Sequence, residues 1–196
     1  MPKATIFHLD PEFPNVRKLR RTVEALEEGG VVIYPTDTVY GMGCDLLQKK
    51  AIDKLYELSG HDPHHHMSFI CSDISQAAQY VHIDNEAFAV LRRVLPGPYT
   101  VILEETKVVP KILTRKRSTV GIRIPPSPVA RYLVESLGRP ILSSSVSDEN
   151  GEAILEPEEI VRLYGRRVPY IIDQGYLGTD VSTVLAYDDG VWEVLR

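Results

Sequence analysis

Gly29-Gly30-Val31-Val32-Ile33-Tyr34-Pro35-Thr36-Asp37-Thr38-Val39-Tyr40-Gly41-Met42-Gly43 joins a short apolar run to a cluster of hydroxyls, one carboxylate and closely spaced glycines. Val31 to Tyr34 is β-branched and aromatic and reads as a strand. Pro35 cannot donate to a sheet ladder, and Gly41 and Gly43 permit backbone geometry that other residues avoid. The chain is therefore expected to leave the sheet at Pro35 and to present the hydroxyls of Thr36, Thr38 and Tyr40 on a ligand loop. The alternative from spacing alone is an ordinary strand-to-turn connection whose Asp37 and threonines satisfy local backbone groups.

Working outward, Val16, Leu19, Val23 and Leu26 recur at helical spacing before Gly29, which predicts a helix over residues 15 to 28 with Arg17, Lys18, Arg20 and Arg21 on its outer face. Ala51, Leu55 and Leu58 predict a second helix ending at Ser59-Gly60, followed by a short strand, Ser68 to Cys71. A helix from near Asp84 stops at Pro96-Gly97-Pro98, and Tyr99 to Leu103 and Thr119 to Ile124 read as strands. Ser127-Pro128 starts a helix that ends at Gly138, and Ile141-Leu142 leads into a serine-rich loop. Pro157 opens another helix, and strands are expected at Tyr170 to Ile172, Thr183 to Ala186 and Val191 to Leu195. This interleaving predicts one α/β domain over residues 1 to 196 with a mixed sheet, whose strand order periodicity does not supply.

Composition agrees with a single sizeable core: 196 residues, 43% hydrophobic and 25% charged. The net charge of -5 disfavours a wholly basic nucleic-acid coat but leaves room for a local basic groove. Cys44 and Cys71 are far apart beside apolar runs, which favours buried free thiols in a reducing compartment over a disulfide or metal knuckle. With neither a signal-like N-terminus nor a long apolar stretch, the expectation is a cytoplasmic protein without a membrane partner.

The opening stretch closely resembles the PTDTVYGLG-type signature of the Sua5/YciO/YrdC/YwlC family. Pro96-Gly97-Pro98-Tyr99-Thr100-Val101-Ile102-Leu103 is similar to its PGPLTLIL segment, Val120-Gly121-Ile122-Arg123-Ile124-Pro125 to its V-x-x-R-x-P strand, and Ser182-Thr183-Val184 to its STV stretch. The resemblance implies a YrdC-like fold, a twisted open mixed sheet with flanking helices around one deep, positively charged cavity. It also implies a nucleotidyltransferase that makes threonylcarbamoyl adenylate from ATP, L-threonine and bicarbonate for tRNA modification, with Mg²⁺ entering on the nucleotide and tRNA-modification proteins as partners. Carried over residue by residue, Thr36, Thr38, Tyr40, Thr100, Arg123, Ser145 and Ser182 line the cleft. Arg123 holds phosphates, Thr38 and Ser182 hold the amino-acid or carbamate end, and Ser145 holds a phosphate oxygen or the ribose edge. Arg123 and Thr38 are the catalytic candidates.

Departures from the family pattern mark the chain as most like the YciO branch. Aligning Glu57-Leu58-Ser59-Gly60-His61 with the K-x-R region puts Ser59 and His61 where the lysine and arginine would stand, and His65 near a second lysine. Ser143-Ser144-Ser145-Val146-Ser147 keeps the serine of S-x-N at Ser145 and has Ser147 in place of the asparagine. The extra C-terminal domain of the Sua5 branch is not expected. Fixed cations give way to neutral or half-charged groups, so slow turnover is the expectation. The alternative is a non-catalytic nucleotide or RNA binder using Arg17, Lys18, Arg20 and Arg21 with Lys111, Arg115, Lys116 and Arg117. No metal site is expected, while the His61, His64, His65, His66 cluster reads as a solvated loop, a phosphate-facing lip or a metal site.

Overall fold

The computed structural model describes residues 3–60, 67–113 and 118–196. Its elements in chain order are β1 (Thr5–His8), α1 (Val16–Glu27), β2 (Val32–Tyr34), β3 (Gly41–Asp45), α2 (Lys49–Ser59), β4 (Ser68–Ile70), α3 (Ile74–Ala77) and α4 (Asn85–Val94). They continue with β5 (Tyr99–Glu104), β6 (Thr119–Arg123), α5 (Pro128–Leu137), β7 (Ile141–Ser145), α6 (Pro157–Tyr164), β8 (Tyr170–Asp173), β9 (Thr183–Asp188) and β10 (Val191–Val194).

The starts of α1, α4 and α5 follow from side-chain caps. Asn15 Oδ1 accepts from Lys18 N (3.1 Å), Asp84 Oδ1 from Ala87 N (2.7 Å) and Ser127 Oγ from Ala130 N (3.3 Å), each satisfying an amide that the first turn leaves free. Gly60 and Gly138 end α2 and α5 at φ 66° and 73°, a left-handed conformation that favours glycine.

The ten strands form one sheet in the order β1-β8-β2-β3-β7-β4-β6-β5-β9-β10, with parallel and antiparallel pairs mixed. The structure departs from the sequence expectation at two segments. Gly41 to Gly43 is not part of a loop but the start of β3, and neither glycine has positive φ. What the site requires is the absence of a side chain: a Cβ on Gly43 would lie 2.5 Å from Ile141 Cγ2 and 3.0 Å from Leu142 O. Likewise Ser143 to Ser145 is not a loop but the end of β7, paired to β3 with Ser145 opposite Gly41 and Ser143 opposite Gly43.

One sheet face carries Phe69, Val101, Leu103, Ile122 and Leu142, which pack in a cluster with Leu55 and Leu58 of α2, Leu91 of α4 and Ile160 and Tyr164 of α6. The other face places Val32, Tyr34, Ile70, Ile141 and Ile172 against Leu19 and Leu26 of α1 and Leu133 and Leu137 of α5. Cys44 and Cys71 are buried free thiols. Asp45, fully buried, is paired with Arg139, whose Nε and Nη2 lie 2.8 and 2.5 Å from its two oxygens. Among the described residues no helix is long and apolar enough to cross a membrane.

Candidate functional site

Side chains alternate across a strand, so the face that α1 and α5 cover over β2, β7 and part of β4 continues laterally over β6, β5 and β9. There its residues turn from aliphatic to small and polar. Ser143 and Ser145 of β7, Ser68 and Ile70 of β4, Gly121 and Arg123 of β6, Thr100 and Ile102 of β5 and Val184 of β9 together line a cavity of about 410 Å³. Register brings them side by side: Ser68 pairs with both Ser143 and Gly121, Ile70 with Arg123, Ile102 with Gly121 and Thr100 with Val184. Their immediate neighbours Phe69, Ile122, Val101 and Leu142 point into the core behind. Sequence reading missed Ser68 and Ser143, for which the period-2 spacing in Ser143-Ser144-Ser145 was the available signal.

The connection from β2 to β3 closes one wall. Thr36 Oγ1 donates to Val39 O (2.6 Å) and accepts from Thr38 N (3.1 Å), so this hydroxyl shapes the turn as well as lying beside the cavity. Tyr40 lines the cavity too, but its hydroxyl donates to Gly175 O (2.7 Å) and accepts from Gln174 N (3.0 Å), tying the turn to the segment after β8. Burial pushes the Tyr40 phenol up to about 12. Arg123 reaches this turn from β6: Nη2 donates to Asp37 Oδ1 (2.9 Å) and to Thr38 Oγ1 (3.1 Å), while Nε has no partner among the described residues. Burial lowers the Arg123 pKa from its usual value, with Asp37 opposing that shift.

On the far wall Thr100 and Ser182 share a hydrogen bond of 2.9 Å between their hydroxyls. Arg196 completes this wall, donating through Nε to Ser182 O (3.1 Å) and through Nη2 to Ser182 Oγ (3.2 Å). Its charge is close enough to disfavour that of Arg123. Sequence reading missed Arg196, since nothing local distinguishes it from a surface arginine. It is brought in by the return of the chain beside β9, where Val184 N donates to Arg196 O (2.9 Å).

The remaining candidates divide. Ser145 and Ser147 line the cavity, whereas Thr38, expected to line it, is buried and not among the described lining residues, its hydroxyl accepting from Arg123 Nη2. Ser59 is not among the described lining residues; it closes α2, where its hydroxyl donates to Tyr56 O (3.1 Å) in the back-bonding common for helical serines. His61 and His65, with His64 and His66, lie outside the described residues, as do Arg115, Lys116 and Arg117. Of the α1 cations, Lys18 donates to His8 O (3.1 Å), Arg20 pairs with Glu24 (3.3 Å), and Arg21 lies over the rings of Phe7 and Tyr170. Among the described residues no group of three or more His, Cys, Asp or Glu side chains is placed to hold a metal ion.

A family model described as Sua5_yciO_yrdC, Telomere recombination, matches residues 24–196. The chain belongs to the Sua5/YciO/YrdC family. It is 37% identical over 195 residues to the uncharacterised protein YciO of Escherichia coli K12, covering 98% of this chain and 95% of that one. The crystal structure of E. coli YciO superposes with a TM-score of 0.93. A threonylcarbamoyl-AMP synthase of Coxiella burnetii is 31% identical over 182 residues, covering 92% of this chain and 97% of its own. The crystal structure of Pyrococcus abyssi Sua5 complexed with L-threonine matches with a TM-score of 0.91 and 27% identity, covering 98% of this chain and 57% of the Sua5 chain. The YrdC-like mixed α/β sheet expected from the resemblance is thus the fold observed.

Proposed function

We propose that the cavity binds ATP and L-threonine and, with bicarbonate, forms threonylcarbamoyl adenylate with release of pyrophosphate and water. The observation that carries this reading is the pairing of two guanidiniums, Arg123 and Arg196, with a wall of hydroxyls from Thr100, Ser143, Ser145 and Ser182 in one cleft. The volume of about 410 Å³ falls in the range of small-molecule sites, roughly 300 to 1,000 Å³. Threonine binding in the P. abyssi Sua5 relative supports the amino-acid half of the proposal.

Attack of a threonine carbamate on the α-phosphorus builds charge on the phosphoryl oxygens and the leaving pyrophosphate, and the protein acts mainly by positioning and electrostatics. In this reading Arg123 takes the phosphates from the sheet face, with Arg196 beside Ser182 as a second cation. Ser182 holds the carbamate end, Thr38 acts from behind the wall through Arg123, and Ser145 holds a phosphate oxygen or the ribose edge. No acidic side chain is among the described residues of the cavity wall, so Mg²⁺ would enter held by the phosphates themselves. Turnover is slow in this proposal, because Ser59 and the cavity-lining Ser147 stand where the family resemblance puts a lysine and an asparagine, and each missing preorganised donor costs about 10²- to 10³-fold in rate. A supply of the adenylate for tRNA modification follows as its use.

The test is pyrophosphate release measured with each substrate omitted in turn. Release that requires ATP, threonine and bicarbonate together, with the adenylate detected by mass, is the expected result. ATP binding with no threonine-dependent release overturns the synthase reading and leaves a nucleotide binder.

A further inference from the structure

Asp37 has no task in the reaction above, and a fixed carboxylate is out of place beside a site for anions. Its Oδ1 lies 2.9 Å from Arg123 Nη2, with both side chains only 9% exposed. By Coulomb's law alone, this charge opposes the binding of phosphate.

The hydrogen-bond count gives it a different use. A guanidinium Nη2 carries two hydrogens, and Arg123 gives one to Asp37 Oδ1 and the other to Thr38 Oγ1. Nη2 is saturated by acceptors one residue apart on a single turn. That turn is itself braced, since Thr38 N donates to Thr36 Oγ1 and Thr36 Oγ1 donates to Val39 O. Nε and Nη1 are what Arg123 has left to offer, and Nε is buried without a partner among the described residues.

We propose that Asp37 is a positioning residue: with Thr38 it takes both hydrogens of Arg123 Nη2 and fixes the guanidinium so that its remaining donors serve the oxyanion of the ligand. This rests on the reading of Arg123 as a phosphate-holding group. The role of Asp37 is thus separable from its charge, and the two make opposite predictions. If Asp37 contributes charge alone, removing it tightens the binding of an anion. If it positions Arg123, removing it loosens binding even though a negative charge has gone.

Binding of inorganic pyrophosphate, measured by calorimetry on the full chain, distinguishes them. Asp37→Ala is expected to weaken binding about tenfold or more, whereas Asp37→Asn, which keeps an acceptor for Nη2, stays within about threefold of wild type. Asp37→Glu is the decisive variant if the alanine protein fails to fold. It keeps the charge but moves the carboxylate by one methylene, and should lose about fivefold or more in affinity with circular dichroism unchanged, an effect that charge alone does not produce. Tighter binding by Asp37→Ala, or wild-type affinity in Asp37→Glu, overturns the positioning role. Loss of the Arg123 dependence itself, or a wild type that binds neither pyrophosphate nor ATP, overturns the site reading and this proposal with it.

Discussion

Replacing Arg123 tests the whole site, but the structure dictates how the replacement must be made. The guanidinium is buried in an ion pair with Asp37 at 2.9 Å, so Arg123→Gln alone would leave a buried carboxylate without its partner. Breaking a buried pair from one side costs about 3–5 kcal/mol, a large part of the roughly 5–15 kcal/mol by which a domain is stable. Loss of binding in that variant would then reflect unfolding as readily as a lost contact. Arg123→Gln combined with Asp37→Asn removes both charges and keeps an amide donor facing an amide acceptor. Hydrogen bonds to charged groups contribute about 1.5–3 kcal/mol, and 1.36 kcal/mol is tenfold. The double variant should therefore bind ATP about tenfold to a hundredfold more weakly than wild type. Calorimetry with Mg²⁺ and ATP reads the affinity, and a urea transition with an unchanged m-value shows that the fold is intact. A folded double variant with an ATP affinity within about twofold of wild type would remove Arg123 from the nucleotide site and refute the electrostatic reasoning.

Two further outcomes concern the scaffold. Arg139→Ala should destabilise the protein by about 3 kcal/mol, the lower end of the range for breaking a buried pair, because Asp45 is fully buried while Arg139 is 28% exposed; an unchanged urea midpoint would contradict it. The neutral Tyr40 phenol is favoured in the folded state, its pKa raised to about 12 by burial first and the Asp173 charge next. Its contribution is fully present below the ordinary value near 10 and is lost as pH rises towards about 12. Tyr40→Phe should accordingly show a shallower fall of urea midpoint with pH across that window than wild type, and parallel pH slopes would refute it.

Much of the local structure was legible because its causes are local. Asn15, Asp84 and Ser127 cap the helices that follow them, and Gly60 and Gly138 end the preceding ones in left-handed geometry. The β2 strand leading into the hydroxyl-rich turn was readable from β-branched residues and Pro35, and the motif resemblance carried Thr36, Thr38, Arg123 and Ser182 to one region. The errors also have local causes. Serines and glycines are weak strand formers, so Gly41 to Gly43 and Ser143 to Ser145 read as loops.

Only the tertiary structure made β3 and β7 strands, since Gly43 fits where a Cβ would meet Ile141 and Leu142 on the paired chain. It also decided that Thr36 and Tyr40 spend their hydroxyls on backbone groups, that Asp37 stands against Arg123, and that Arg196 meets Ser182. The sequence by itself determined the family, most of the longer helices and most strands, because capping, periodicity and motif residues act within a few positions of one another, while the short helix Ile74–Ala77 is too short for periodicity to show. The pocket belongs to the tertiary structure, because its wall is set by strand register between segments far apart in the chain and by where α1 and α5 cease to cover the sheet.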